Sequence, residues 1–162
     1  MEALESAIAL MLSAAVIVAG LMLIYPYIKG KEAEQRLIAA RRIAFSIRDA
    51  IESVIASGVG SSTSLRLYFP EDVVAVAGNN SLEILAYGVG YGGNLTLSNS
   101  SLTLVVLEPR VDRVAIVVKM KEGWNLSVSG ISSSGVENVA LITYEFYNAS
   151  EGIGYIKLEW RG

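Results

Sequence analysis

The 162-residue chain contains no cysteine and no histidine, and it has only three prolines and three aspartates. These absences exclude thiol nucleophiles, disulfides, histidine bases and histidine or cysteine zinc sites. No spacing among the acidic residues indicates a paired acid and base. We therefore expect neither enzyme activity nor a metal or cofactor. The net charge of −3 and a pI near 5.0 also give no electrostatic footprint for nucleic acid.

Charge is scarce, and it is absent from the 23 residues between Ser6 and Ile28. As a helix rising 1.5 Å per residue, this run could cross a bilayer core of about 30 Å. It is too long for the apolar region of a signal peptide, and Glu2 and Glu5 stand where basic residues would be expected. We interpret it as a retained helix, with a kink near Pro26.

Beyond Lys29 the apolar residues recur at spacings of four and three, which predicts an amphipathic helix over 31–57. The stripe consists of Ala33, Leu37, Ala40, Ala44, Ile47, Ile51 and Val54. Ile38 and Phe45 widen it, so the helix can contact its own domain on one side and another helix on a second. Gly58 and Gly60 end it. The expected helical domain is 1–58, hydrophobic over 6–28.

After Ser61 the apolar period changes to two, and eight or nine short strands are predicted. They lie at 65–69, 72–77, 81–87, 94–98, 102–106, 111–120, 124–129, 138–147 and 153–160. In the last of them Ile156, Leu158 and Trp160 are expected to face the core. The expected fold class is α+β, a lollipop whose stem is the long apolar helix and whose head, 61–162, is an antiparallel β-sandwich or barrel-like domain.

The glycine-rich segment from Gly88 to Gly93 matches the spacing of a dinucleotide-binding loop. A pyrophosphate site also needs a helix that begins at the glycines, whereas 94–98 has the pattern of another strand. We interpret the segment as a hairpin loop.

Five of the seven asparagines begin an Asn-x-Ser/Thr sequon without proline, namely Asn79, Asn94, Asn99, Asn125 and Asn148. Chance would give about one such sequon at this composition. Polar turns of a β-rich domain could collect these tripeptides. The alternative is that the β domain lies outside the cell and carries N-linked glycans at these five positions.

The charges on either side of the apolar run predict the opposite location for the β domain. Lys29, Lys31, Arg36, Arg41 and Arg42 follow the run, so the positive-inside rule would leave the β domain in the cytoplasm. The conflict disappears if a short basic leader preceded Met1 and was removed after it had oriented the precursor. Met1 would then be a mature terminus.

Glu5 stands at the edge of the apolar run, where an ionised carboxylate is costly to bury without a cation. The free amine of Met1 in a neighbouring chain could supply that cation. Alternatively, Glu2 and Glu5 only mark the hydrated, acid-favouring first turn of a membrane helix.

This N-terminal pattern of Glu5, an uncharged run to Ile28, an interrupting Pro26 and an amphipathic continuation resembles the type IV pilin superfamily. With its cysteine-free, sequon-rich β domain, the chain looks most like an archaeal pilin or archaellin. The resemblance is specific over 1–57 and only architectural over 60–162. It departs from bacterial members in starting with Met1 where they have Phe.

The resemblance implies a structural subunit that polymerises with copies of itself into an extracellular filament at the cell surface. A prepilin peptidase would process a membrane-inserted precursor, and pilus assembly machinery would move the helices from the membrane into the filament core. The residues expected to take part in assembly are Met1, Glu5, Pro26, Leu37, Ala44, Ile47, Ile51 and Val54.

Two other classes of protein remain open from the sequence. In the first, the helix stays in lipid and anchors a β-sandwich binding module, similar to an accessory protein of the archaellum or a surface-layer-binding protein. In the second, the helix anchors an enzyme.

Overall fold

A computed structural model describes residues 2–161, with side chains from Leu4 onward. A single helix, α1, spans Glu2–Ser57 and continues through Pro26, which confirms the predicted long helix. It ends where Gly58 adopts a φ of +94°, a conformation that favours glycine. The Gly58 amide donates a hydrogen bond to the Ile55 carbonyl at 3.1 Å.

The described residues divide into two compact units within α1, after Glu34. The first unit consists only of helix. The second begins at Gln35 and contains the rest of α1 together with all the strands. This boundary differs from the predicted one after residue 58, because residues 35–57 pack with the strands, a contact that the width of the apolar stripe allowed.

Nine strands follow α1, in agreement with the periodicity of the sequence. They are β1 (Ser62–Tyr68), β2 (Val73–Gly78), β3 (Ser81–Tyr87), β4 (Leu95–Asn99), β5 (Thr103–Pro109), β6 (Arg113–Met120), β7 (Trp124–Ser129), β8 (Glu137–Asn148) and β9 (Ile153–Arg161). In β9, Ile156, Leu158 and Trp160 are buried as predicted.

The strands form two sheets, which favours the sandwich over the barrel-like alternative. One has the order β1-β8-β9-β7 and the other the order β2-β3-β6-β5-β4. All neighbours are antiparallel except β7 and β9, which are parallel. Strand β7 contacts β2, β3 and β6 and so brings the two sheets together.

The part of α1 within the second unit buries its apolar stripe against that unit. Ala44, Ile47, Ile51 and Val54 are at most 3% exposed. Each large side chain buried in this way contributes about 1.5–3 kcal/mol. These four residues were expected to take part in assembly, but their surface is already covered within one chain. The stripe fixes this part of the helix to its own domain.

Polar contacts fix the direction of this helical segment along the sheets. Near its start Arg36 forms an ion pair with Asp72 at 2.9 Å. Near its end Glu52 accepts hydrogen bonds from Ser100 at 2.5 Å and Thr103 at 2.6 Å. The helix therefore runs from one end of the domain to the other.

We name the two ends of this domain by what lies there. The Arg36 end holds the last residue of β1, the start of β2, the last residue of β3 and the β5–β6 turn. The hairpin end holds the β2–β3, β4–β5, β6–β7 and β8–β9 turns.

Asn80 joins the two sheets at the hairpin end. Its side-chain amide donates to the Trp124 carbonyl at 3.0 Å, and its oxygen accepts from the Leu126 amide at 2.6 Å. Its backbone φ is +51°, in the left-handed region that asparagine tolerates better than most residues. The sequence pointed to its neighbour Asn79 as the start of a sequon, and no local pattern pointed to Asn80.

We expect Asn80→Ala to lower the free energy of unfolding of this domain by about 1–3 kcal/mol, because it leaves two backbone groups of β7 without partners. Asn80→Gly loses the same hydrogen bonds but accepts the positive φ, so its effect should be smaller. Both variants keep the Asn79 sequon. Denaturant titration of the detergent-solubilised chain, followed by the fluorescence of Trp124 and Trp160, measures the difference. Unchanged stability of the alanine variant would contradict this role.

Candidate functional site

The largest exposed feature of the molecule is the apolar surface of α1 in the first unit. Its exposed large side chains are Leu4, Ile8, Leu10, Met11, Leu12, Val16, Ile17, Val18, Leu21, Met22, Leu23, Ile24, Tyr25, Tyr27 and Ile28. The helix is long and apolar enough to cross a membrane, and none of its most apolar window is buried within the chain. An apolar surface this extensive is characteristic of a site that contacts lipid or other protein.

The apolar surface is bounded by charge on both sides. Glu5 is exposed and has no ion pair in the part of the chain that the structure describes. After Ile28, Lys29 pairs with Glu32 at 3.1 Å and Lys31 with Glu34 at 2.9 Å. Such exposed pairs one helical turn apart contribute only about 0.3–0.5 kcal/mol, so these side chains mainly mark the edge of the apolar surface. Met1, the predicted processed terminus, lies outside the described residues.

Two other predicted assembly residues lie on the same helix. Pro26 is exposed within the apolar surface, and the helix continues on both sides of it. Leu37 belongs to the second unit and is half-buried, whereas its neighbour Ile38 is exposed. Of the predicted stripe, Leu37 therefore retains some accessible surface.

The five sequon asparagines are not scattered over the β domain. Asn79, Asn99, Asn125 and Asn148 lie in or beside the four turns of the hairpin end. Asn94, which precedes β4, is the exception. All are exposed except Asn148, which is half-buried.

Asn148 differs from the other four in its hydrogen bonding. Its side-chain oxygen accepts from the Ser150 hydroxyl at 2.7 Å and from the Ser150 amide at 3.2 Å, so the sequon closes into a local turn. Nearby, Phe146 stacks on Tyr155 with ring centroids 4.4 Å apart. Desolvation is the main cause that raises the pKa of Tyr155 above its ordinary value, and the neighbouring Glu151 carboxylate raises it further.

A cleft of about 490 Å³ opens between α1 and the end of β1. Its lining includes two cationic residues, Arg42 and Arg66, and two residues with hydroxyl groups, Ser46 and Tyr68. Its apolar lining consists of Ala39, Ile43, Leu67 and Pro70. The sequence did not point to this cleft, because its two sides are twenty or more residues apart in the chain.

The glycine-rich segment carries no nucleotide-binding geometry. The residues from Gly88 to Asn94 form an irregular connection, and strand β4 follows instead of a helix. The segment is not a hairpin either, because β3 and β4 are separated in their sheet by β6 and β5. The chain crosses the end of the sheet from β3 to the edge strand. Among the residues searched for metal ligands, 2–161, no group of acidic side chains could hold a metal ion.

Comparisons of the chain with protein-family models, with curated proteins and with solved structures found no match.

We expect residues 35–162 to remain folded and monodisperse without detergent, because this unit contains its own core and lacks the apolar surface of the first unit. The full chain should need detergent or should self-associate, since its exposed apolar side chains remain in water at a cost of about 25 cal/mol per Å². Sedimentation velocity and circular dichroism on the two proteins provide the comparison. Aggregation of residues 35–162 would show that the second unit also depends on residues 2–34.

Proposed function

We propose that the chain is the structural subunit of an archaeal type IV pilus-like extracellular filament. In this proposal, helices from many copies pack together through the apolar surface of α1, and the β domains cover the outside. The observation that carries the proposal is the exposed run from Leu4 to Ile28, which nothing else in the described chain covers. Packing against other copies removes that surface from water, or exchanges lipid contacts for closer helix contacts.

The continuity of α1 favours a polymer subunit over a loosely anchored binding module. The helix continues from the apolar run through Lys29 and Gln35 into the second unit, with no coil between them. A module that has to reach a distant partner from the membrane is better served by a flexible linker. A polymer subunit has no such need, and its helix can continue without a break.

The positions of the sequons agree with this arrangement. Four of the five lie at the hairpin end, at the other end of the domain from Arg36. N-linked glycans there would cover the outer surface without coming between packed helices. In this proposal the β domain is extracellular, and the membrane holds only the precursor pool before assembly.

The apolar surface can be tested with a single buried charge. We expect Val16→Asp to abolish filaments, because every copy would then bury an unpaired carboxylate at a cost of several kcal/mol. Val16 is 70% exposed in the isolated chain, so the substitution leaves the fold of the second unit intact. Ser53→Asp is the matched control, since Ser53 is also exposed on α1 but lies outside the apolar run.

Electron microscopy of material sheared from the cell surface measures the result. Filaments made of this chain in the parent and in Ser53→Asp, but not in Val16→Asp, would support the proposal. If the parent chain is found only as single copies in the membrane fraction, the anchored binding module is the better reading. Normal filaments from Val16→Asp would show that the apolar run does not pack in the filament core.

Glycan attachment makes a separate prediction. We expect Ser127→Ala to remove one glycan mass from the native protein, because Ser127 supplies the hydroxyl of the Asn125 sequon. Ser129→Ala lies on the same strand, outside the sequon, and should leave the mass of the glycans unchanged. Intact-protein mass spectrometry on protein from its native cells distinguishes the two. Equal glycan masses in both variants would show that Asn125 is unmodified.

A further inference from the structure

We infer that the cleft between α1 and β1, lined by Arg42 and Arg66, receives the Glu5 carboxylate of a second copy of this chain. The inference rests on the proposed assembly and identifies the group that neutralises Glu5 when it leaves water. It assigns that role to an arginine cleft on the β domain, whereas the sequence suggested the amine of Met1.

The ion pairs within the chain narrow the choice of cation that could bind Glu5 of another copy. Ten of the 13 Lys and Arg side chains have a carboxylate within 4.0 Å in their own chain. Three remain, namely Arg41, Arg42 and Lys121. Arg41 lies 6.0 Å from the ring of Tyr91, and Lys121 donates to the Ser100 carbonyl. Arg42 is exposed and has no carboxylate or ring partner in the described part of the chain.

Arg66 is the second cation of the cleft and is only weakly engaged. Its nearest carboxylate is that of Glu137 at 4.0 Å, and the side chains are 82% and 59% exposed. A pair this long and this exposed contributes little. Two cationic residues in the lining of one cleft favour an anion there, and a carboxylate can accept charge-assisted hydrogen bonds from a guanidinium group.

The rest of the cleft suits the start of an apolar helix. Ile43, Leu67 and Pro70 offer apolar surface beside the arginines, and Ser46 and Tyr68 can donate further hydrogen bonds. Ile38 and Tyr68 extend exposed apolar surface along α1 and β1. An incoming first turn of α1, with Glu5 followed by apolar residues, matches this combination of charge and apolar surface.

Glu5 is the carboxylate that most needs such a partner. Glu71, Glu122, Glu145 and Glu151 also lack ion pairs in the described chain, but they are exposed on the β domain and can stay hydrated. Glu52 lacks an ion pair as well, but it accepts hydrogen bonds from Ser100 and Thr103. Glu5 adjoins the run that assembly removes from water, so its charge must be matched or its desolvation opposes assembly.

The contact joins two different surfaces of the same chain, the first turn of α1 and the side of the β domain. In a heterologous contact of this kind, each pair of copies still has one unused Glu5 and one unused cleft, so further copies can add at both ends. The contact propagates into an open polymer where the rotation between copies does not close a ring, and this agrees with the filament from which the inference starts.

A charge exchange tests the pairing. We expect Glu5→Arg and Arg42→Glu each to reduce filament yield by about tenfold or more, because each places like charges together at the contact. The double variant, Glu5→Arg with Arg42→Glu, should restore most of the yield. Lys157→Glu makes the same change of net charge on β9 away from the cleft and should leave the yield unchanged. Filaments are counted in sheared surface material by electron microscopy.

The outcomes distinguish a failure of the Glu5–Arg42 contact from a failure of the proposed filament. Rescue by the double variant supports the Glu5–Arg42 contact. If Glu5→Arg impairs assembly but Arg42→Glu does not, or if the double variant is not rescued, the partner of Glu5 lies elsewhere and the inference is wrong although the filament stands. If the parent chain never forms filaments, the proposed function itself is wrong. Unfolding followed by tryptophan fluorescence in detergent confirms that every variant is folded.

Discussion

The organisation of this molecule depends on an apolar helix surface, from Leu4 to Ile28, that its own chain leaves uncovered. A soluble domain buries the greater part of its apolar helix faces, because each large side chain left in water forgoes about 1.5–3 kcal/mol. Here fifteen such side chains are exposed on one helix. The first unit is therefore incomplete by itself, and its environment, whether lipid or other copies, is part of its structure.

The same helix serves a different purpose once it reaches Gln35. From Ala40 to Val54 its stripe is buried among the strands of its own domain, and Arg36 and Glu52 hold it at either end. One helix thus combines a segment that needs external partners with a segment whose apolar stripe is already buried in its own domain.

Local periodicity was sufficient to predict the helix and nearly all the strands. A change of apolar period from 3.6 to two is a property of neighbouring residues, so the bounds of β3 and β7 could be predicted to the residue. The boundary between the units could not, because an apolar stripe has the same pattern whether its own domain or another chain covers it. The parallel pairing of β7 with β9 and the path from β3 to β4 depend on contacts between distant segments, and no local pattern encodes them.

The candidate surfaces show the same division between local and distant information. Each sequon is a local tripeptide, but the convergence of Asn79, Asn125 and Asn148 at one end follows only from strand order. Exposed apolar side chains occur at both ends, with Tyr68 and Val111 at the Arg36 end and Phe146 and Tyr147 near the hairpin end. The sequons therefore distinguish the two ends and the apolar side chains do not. Bulky hydrophilic glycans on the sequons would disfavour close protein contact at the hairpin end.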